Sequence, residues 1–408
     1  MVDFQLSPAQ ASFQQTARQF AQQKVQPIVD EIDRQEFSQC TPWEHIKAVY
    51  QEAASLGFTT LLIPERYGGG GAGCFDNVLL LEEIGAVDVG VAASYFNTSI
   101  TAPLLIVNGG NETQRECWLR EITQAKYFVI ASAGNEPNQA GSDALCPLPD
   151  PQVGLKTTAQ KDGDGGYILN GTKAAFITNA GIANAYLVAA RTDLTQPPMV
   201  STSFFYIPAN LGGIHVGNRT PLTGWHSAHN AEVHFENVRV PEMSRLGEEG
   251  TGVPVFLMRS LPYIAIGLAA CYVGLARAAY EYALAYAQQR ISWGVPIIRH
   301  QAVAAKIAEM NINVQAARLI VWEAAWAVDH DDPSIPIKSP TAKTFATEMA
   351  IKNAQLAVQV LGAYGITNEY KAAKMLNDAW IGWSCDGTND VLRLHMANFL
   401  GGMMPPMP

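Results

Sequence analysis

The sequence predicts an α+β chain of three consecutive domains: helical over 1–128, β over 129–250, and helical again over 251–408. Three observations carry this. The apolar period is helical up to about Phe128 and two-residue from about Val129 to Gly250. Beyond Val253 helices return, and they are long. No repeat or low-complexity linker interrupts the order, and a 408-residue chain is long enough for two or three domains.

The elements follow in turn. In "SPAQASFQQTARQFAQQKV", Ser7 is placed as an N-cap and Pro8 at the first helical position, where a missing N–H does no harm. "DNVLLLEEIGAV" and "NETQRECWLREI" are short helices, each led by Asp or Asn. "LKTTAQKDGDGGYILNG" is two strands joined by a Gly/Asp turn, and "AYLVAARTD" and "TSFFYIP" are further strands. In "AEVHFENVRVP", Ala231, Val233 and Phe235 alternate with Glu232, His234 and Glu236, as in a half-buried strand. The run "LPYIAIGLAACYVGLA" falls short of the roughly 18 apolar residues of a membrane span and reads as a helix inside a bundle. Val303, Ile307, Met310, Val314, Ala317 and Val321 recur by fours and threes, which places them on one helical stripe.

Composition excludes several classes. Hydrophobic content of 48% with 16% charged residues suits large buried cores and excludes disorder for most of the chain. A formal charge of −10 argues against nucleic-acid and anionic-membrane partners, which need concentrated Lys and Arg. Cys40, Cys74, Cys117, Cys146, Cys271 and Cys385 show no CxxC spacing, so neither a metal site nor a disulfide framework is expected. A reducing compartment follows, and "MVDFQLSPAQ" lacks the basic and apolar regions of a secretory signal, so a cytoplasmic location is expected.

Several motifs carry chemistry as well as structure. "PERYGGGGAG" lacks the Gly-Lys-Ser/Thr ending of a phosphate loop and reads as a turn. "NEPNQAGSD" offers Asn135, Glu136, Ser142 and backbone N–H groups to a polar ligand edge, or is an ordinary Asn/Gly/Ser loop. "KAAFITNAG" puts Phe176 and Thr178 on one side of a strand end, where a ring and a hydroxyl suit a flat heteroaromatic ligand. Arg290, Trp293 and Gln301 stand at a helix break, and Gln359, Gly362 and Gly365 at a helix end; Arg suits a diphosphate, and the alternative is a C-cap beside a surface Arg. In "WIGWSCDGTNDVLRLH", Asp386 precedes a helix, either as its cap or as a working carboxylate.

With "NEP…AGSD", "FITN", "EVHFENVRVP", Arg290-x-x-Trp293-Gly, Gln359-x-x-Gly362-x-x-Gly365 and "DGTNDVLR" in this order, the chain resembles the acyl-CoA dehydrogenase superfamily nearly end to end. The resemblance implies an N-terminal helical domain, a middle β-barrel or sandwich, a C-terminal four-helix bundle, FAD, and a tetramer or dimer. It implies that Asn135, Ser142, Phe176 and Thr178 hold the isoalloxazine, with Thr388 also at the flavin. Arg290, Trp293, Gln301, Gln359, Gly362 and Gly365 would meet the diphosphate and adenine across a subunit interface. Asp386 takes the position of the family's catalytic Glu, with Arg393 seven residues on as its partner, and electrons pass to an electron-transfer flavoprotein or to O2.

Two departures shape the expected substrate. Asp386 is one methylene shorter than the family's Glu. The CoA-anchoring acid and Arg fall at Pro262 and Ala265, with Arg259 upstream. Both departures resemble the nitroalkane oxidase branch, as do "MVDFQLSP" and "GLARAAYEYALAYA", whereas "DGTND" is nearer the dehydrogenases. Dehydrogenases of cyclic thioesters also use Asp but keep the CoA Arg. A small substrate other than a standard fatty acyl-CoA is therefore expected, and the alternative is a true acyl-CoA dehydrogenase with altered CoA contacts.

Overall fold

A computed structural model describes residues 5–35, 42–137, 139 and 149–402. The first domain comprises α1 (Pro8–Phe20), α2 (Gln26–Ile32), α3 (Pro42–Ser55), α4 (Cys74–Val87), α5 (Val89–Phe96), α6 (Ala102–Gly109), α7 (Glu112–Gln114) and α8 (Arg120–Gln124). Ser7 caps α1 as expected: its hydroxyl accepts from Gln10 N, and the Gln10 side chain accepts in return from Ser7 N. Asn111 closes the same reciprocal box with Gln114.

The middle domain comprises β1 (Ile130–Ala133), β2 (Thr158–Lys161), β3 (Tyr167–Thr178), β4 (Ala185–Arg191), a short α9 (Pro198–Ser201), β5 (Thr202–Pro208), β6 (Ile214–Arg219) and β7 (Asn230–Val240). They form a single seven-stranded sheet in the order β1-β4-β2-β3-β7-β6, with β5 on the other side of β4. In β4, Tyr186, Val188 and Ala190 join the sheet's own core, while Ala185 and Leu187 face Ile63, Trp118 and Leu119 of the helical domain. Covered on both faces, β4 is apolar until Arg191, without the alternation a one-sided strand shows. The alternation expected in β7 holds from Ala231 to Glu236; Asn237 then takes a left-handed φ of 52°, and burial resumes at Val238 and Val240.

The third domain comprises α10 (Gly252–Val255), α11 (Leu261–Gln289), a β8 (Ile291–Ser292)/β9 (Val295–Pro296) hairpin, α12 (Gln301–Asp329), α13 (Ile335–Leu361), α14 (Lys371–Ser384) and α15 (Asn389–Leu400). The expected stripe on α12 is buried from Ile307 through Val321. The apolar run at α11 belongs to a longer helical stretch, Gly252–Gln289, which by length and composition alone could cross a membrane; so could Val89–Gly109, whose apolar window is 94% buried in protein.

Two features tie the domains together. α4 and α11 cross with backbones in contact: a Cβ on Gly85 would lie 2.3 Å from Cys271 O, and one on Gly274 would lie 2.2 Å from Glu82 O. Beside this crossing the buried Glu82 and Glu83 receive Arg318 from α12, Arg277 from α11 and Arg18 from α1. At the other end, Lys374 of α14 donates to Asp88 (2.6 Å) and Asp378 (2.7 Å). Asp88 caps α5 through Val91 N and accepts from Ser227 Oγ, while Asp378 accepts from Trp225 N at 2.6 Å. One ammonium thus joins all three domains. Burial alone would lower the Lys374 pKa, and the facing carboxylates of Asp378, Asp88 and Asp33 instead hold it well above its ordinary value.

Gly274→Ala tests the crossing. Alanine gains helix propensity of up to about 1 kcal/mol, but its methyl requires α4 and α11 to part, and overpacking of this kind costs about 1–3 kcal/mol. A lower urea midpoint is the expected outcome, whereas the same substitution in an open helix would raise it.

Candidate active site

α14 stops at Ser384 because the next residues leave helical space: Cys385 is extended, and Asp386 (φ 49°) and Gly387 (φ 87°) are both left-handed. Asp is one of the few residues besides glycine that tolerates this region. The cap of α15 is Thr388, whose hydroxyl accepts from Val391 N at 3.3 Å. That removes the reading of Asp386 as a helix cap. Among the described residues no hydrogen bond or salt bridge engages its carboxylate, so it is left available for other work.

The surroundings of Asp386 have two sides. Its own atoms are accessible to water, yet protein crowds it at longer range, including Cys385 and the ammonium of Lys343. Burial pushes the carboxyl up to about 6, and Lys343 pulls partly against it. We give weight to the upward direction, because a bound substrate would displace the water that now reaches the group.

The loop rests on a residue that sequence reasoning did not single out. Lys343, on α13, is fully buried and donates to Gly387 O (2.8 Å) and Asn389 Oδ1 (2.9 Å). Asn389 is itself buried and donates to Thr347 Oγ1 at 3.0 Å and Glu348 Oε1 at 3.3 Å. Arg393 departs from the expectation of an Asp386 partner. As the fifth residue of α15 it lies about one helical turn in, and there its guanidinium pairs with Glu348 and Asp390 and lies 5.9 Å from the Trp383 ring centroid.

The second group of residues gathers at the end of β3. Phe176 is 60% exposed, an unusual display for a large apolar ring, while Thr178 is buried and donates to Asn230 Oδ1 at 2.8 Å. Asn135 O accepts from Ala174 N (2.9 Å), which holds the 134–137 segment to the same strand; Ser142 lies outside the described residues. Glu136 is no ligand group: its carboxylate is taken by Lys156 N, Thr157 N and the buried Lys173. The anchor of this strand end is Asn179 (φ 71°), also missed from sequence as a positioning residue. It donates to Ser94 O at 2.9 Å and Thr98 Oγ1 at 3.3 Å, and accepts from Ser94 Oγ at 2.5 Å.

A third group lies at the far end of the bundle. Arg290 ends α11 with its guanidinium 5.5 Å from the Tyr364 ring centroid, inside the Gly362–Gly365 segment. Trp293, 95% exposed, is at the tip of the β8/β9 hairpin, and Gln301 opens α12. Gln359 accepts from Lys306 at 2.9 Å. Gly362 has φ 63°, and a Cβ on Gly365 would lie 2.4 Å from Val358 O, so both glycines are required by the backbone. Tyr272 marks where α14 packs on α11, its hydroxyl donating to Asp378 O. Eighteen residues separate Tyr272 from Arg290, about 27 Å along the helix.

Comparison with known proteins accounts for this arrangement. The acyl-CoA dehydrogenase N-terminal, middle and C-terminal domain families match residues 7–126, 131–238 and 250–401. The short-chain specific acyl-CoA dehydrogenase of Megasphaera elsdenii is 33% identical over 393 residues, 96% of this chain and 97% of that one. The structure of butyryl-CoA dehydrogenase from Megasphaera elsdenii superposes with a TM-score of 0.88 at 32% identity, covering 98% and 100% of the two chains. The prolyl acyl carrier protein oxidase AnaB superposes at 0.87 with 26% identity, covering 97% and 100%. The chain belongs to the acyl-CoA dehydrogenase family and is an FAD-dependent oxidoreductase.

The residues present fit FAD. On β7, opposite Thr178, Asn230 has a buried Nδ2 with no partner among the described residues, and Ser132 Oγ on β1 is another such atom. A flat polar ligand edge would meet both needs.

Asn179→Leu tests the anchor of β3. It strands Ser94 and Thr98 without their partner, and an unsatisfied buried group costs about 1–3 kcal/mol. A fall in melting temperature together with looser flavin retention is expected; a protein as stable as the parent would show that β3 is held elsewhere.

Proposed function

We propose that this enzyme oxidises a small activated organic substrate, Asp386 removing the proton from the carbon α to an electron-withdrawing group. The observation that carries this is a carboxylate free of hydrogen bonds, set on a left-handed loop and pushed up to about 6. A base near the working pH accepts a proton readily and is still mostly ionised at neutrality. FAD, when bound, would supply the two-electron acceptor, with flavin N5 as the hydride-accepting position. The chain would supply the rest: we assign Asn135, Phe176, Thr178 and Thr388, together with Ser142 from its sequence motif, to the isoalloxazine. Arg290, Trp293, Gln301, Gln359, Gly362 and Gly365 would serve the diphosphate and adenine of a second subunit's cofactor. The roughly 27 Å along α11 between Arg290 and the Tyr272 contact with α14, the helix that leads to Asp386, supports that division. We read the assembly as a tetramer or dimer located in the cytoplasm, with domains at 1–128, 129–250 and 251–408, passing electrons to an electron-transfer flavoprotein or O2.

The substrate's handle is set by what α11 lacks. At the anchor positions stand Pro262 and the fully buried Ala265, and Arg259 is an exposed side chain whose backbone carbonyl receives Asn108. Neither anchor position offers a charge to a CoA phosphate, which favours a substrate other than a standard fatty acyl-CoA. Similarity to short-chain dehydrogenases over the whole length supports a second reading, a thioester with altered CoA contacts. AnaB, by its name, acts on an acyl group borne by a carrier protein, and such a substrate needs no CoA anchor.

Anaerobic titration of the purified holoprotein with butyryl-CoA and then with a primary nitroalkane separates the readings. Bleaching by the thioester means that CoA is held without the usual Arg; bleaching by the nitroalkane alone places the enzyme with the oxidases. Asp386→Asn is expected to keep FAD bound and abolish reduction, since a carboxamide cannot take the proton; undiminished reduction would remove Asp386 as the base. The sign of the pH dependence follows from the raised value: the ionised form is lost as pH falls through about 6, so reduction slows about tenfold per unit below it and is flat above. Arg290→Ala is expected to lower the flavin-to-protein ratio, and full occupancy would exclude Arg290 from the cofactor site.

A further inference from the structure

We propose that Lys343 is the positioning residue of the base: it locks the left-handed turn at Asp386–Gly387 and provides the only buried positive charge facing that carboxylate among the described residues. The inference rests on the assignment of Asp386 as base, and its geometry is independent of the substrate. Lys343 is fully buried, yet among the described residues no carboxylate is in salt-bridge contact with it. Its Nζ is held by a carbonyl, Gly387 O, and an amide oxygen, Asn389 Oδ1, both neutral. A buried ammonium satisfied only by neutral acceptors is costly, so the carboxylates around it matter.

Those neighbours can be named element by element. From α13 itself comes Glu348, already paired with Arg393 of α15. From the α14–α15 loop come Cys385 and Asp386. From α11 come Cys271, which feels the Asp386 charge, and Tyr272, which feels Cys385. Burial holds the thiols and the phenol neutral, Cys385 being pushed up to about 12. Asp390 and Arg393 face each other on α15. Asp386 is therefore the one carboxylate near Lys343 that lacks a cation of its own.

Two consequences follow for the site. The hydrogen bond to Gly387 O fixes the residue after the base, and through it the direction of a side chain too short to compensate for a misplaced backbone. The charge holds down a carboxyl that burial alone would raise further. Lys343 itself is lowered by burial to about 8, against the pull of the Asp386 and Glu348 carboxylates, and stays an ammonium below that pH. Without it, burial would raise the Asp386 carboxyl unopposed, and less of the base would be ionised at neutrality.

The test reads Asp386 directly, so failure of the proposal is separable from failure of the substrate assignment. Infrared difference titration of the holoprotein follows the Asp386 carboxyl band, identified by its loss in Asp386→Asn. Lys343→Gln keeps a donor for Gly387 O and removes the charge; its Asp386 midpoint is expected to rise by at least about one pH unit, as loss of a nearby opposite charge dictates. Lys343→Arg restores the charge and is expected to return the midpoint to near the parent value. In the parent protein, loss of the Lys343 proton near pH 8 is expected to perturb the Asp386 carboxylate band a second time. That measurement decides the matter even where Lys343→Gln is not recovered folded. An unmoved midpoint in Lys343→Gln, or a parent band with no second step, overturns the proposal; absence of any Asp386 titration between pH 5 and 7 instead overturns its assignment as a tuned base.

Discussion

A single ammonium between two buried carboxylates determines where the loop carrying Asp386 can be. Lys374 pairs with Asp88, which starts a helix of the first domain, and with Asp378, which holds the Trp225 backbone of the second. All three lie on or beside α14, the helix that delivers Asp386 at its end. Removing one partner of such a buried pair leaves an uncompensated charge, a loss of about 3–5 kcal/mol. The arrangement is a weak source of net stability but a strict source of register. It sets α14 against the sheet and the first domain together, so Asp386 at the end of α14 and the middle-domain sheet that carries Phe176 are placed by the same contact.

The same logic repeats at smaller scale. Asn179 fixes the end of β3 by bonding to α5 and β1, and Lys343 fixes the loop after α14 by bonding across from α13. In each case an exposed group, Phe176 or Asp386, is backed by a buried polar group one to three residues away or across the bundle. Ligand-facing side chains can then be few and unsatisfied, because the satisfied ones stand behind them.

The fold was largely legible because its signals are local. Ser7 and Gln10 box one helix start, Ala231 to Phe235 alternate within one strand, and Ile307 to Val321 repeat within one helix. Asp386 was legible through its motif. The parts that stayed hidden are long-range: the Lys343–Gly387 bond spans 44 residues, Asn179–Ser94 spans 85, and Lys374–Asp88 spans 286. Nothing in the spacing of a lone Lys inside a helix distinguishes it from a surface residue. Arg393 illustrates the reverse error, a motif partner whose charge is satisfied by Glu348, a residue that only tertiary packing brings near. The Asn237 shift in β7 was equally invisible, since Glu-Asn-Val reads as uninterrupted strand.

The length of α11 has a consequence of its own. α11 is a rigid 29-residue helix, and Arg290 at its end lies about 27 Å along it from the Tyr272 contact with α14. If neighbouring chains each complete the other's site, cofactor affinity is no longer a constant of the subunit. It becomes a mass-action quantity, rising with protein concentration as association and flavin capture reinforce each other. Dilution would then act on this enzyme as a slow inactivator, with colour lost before the fold.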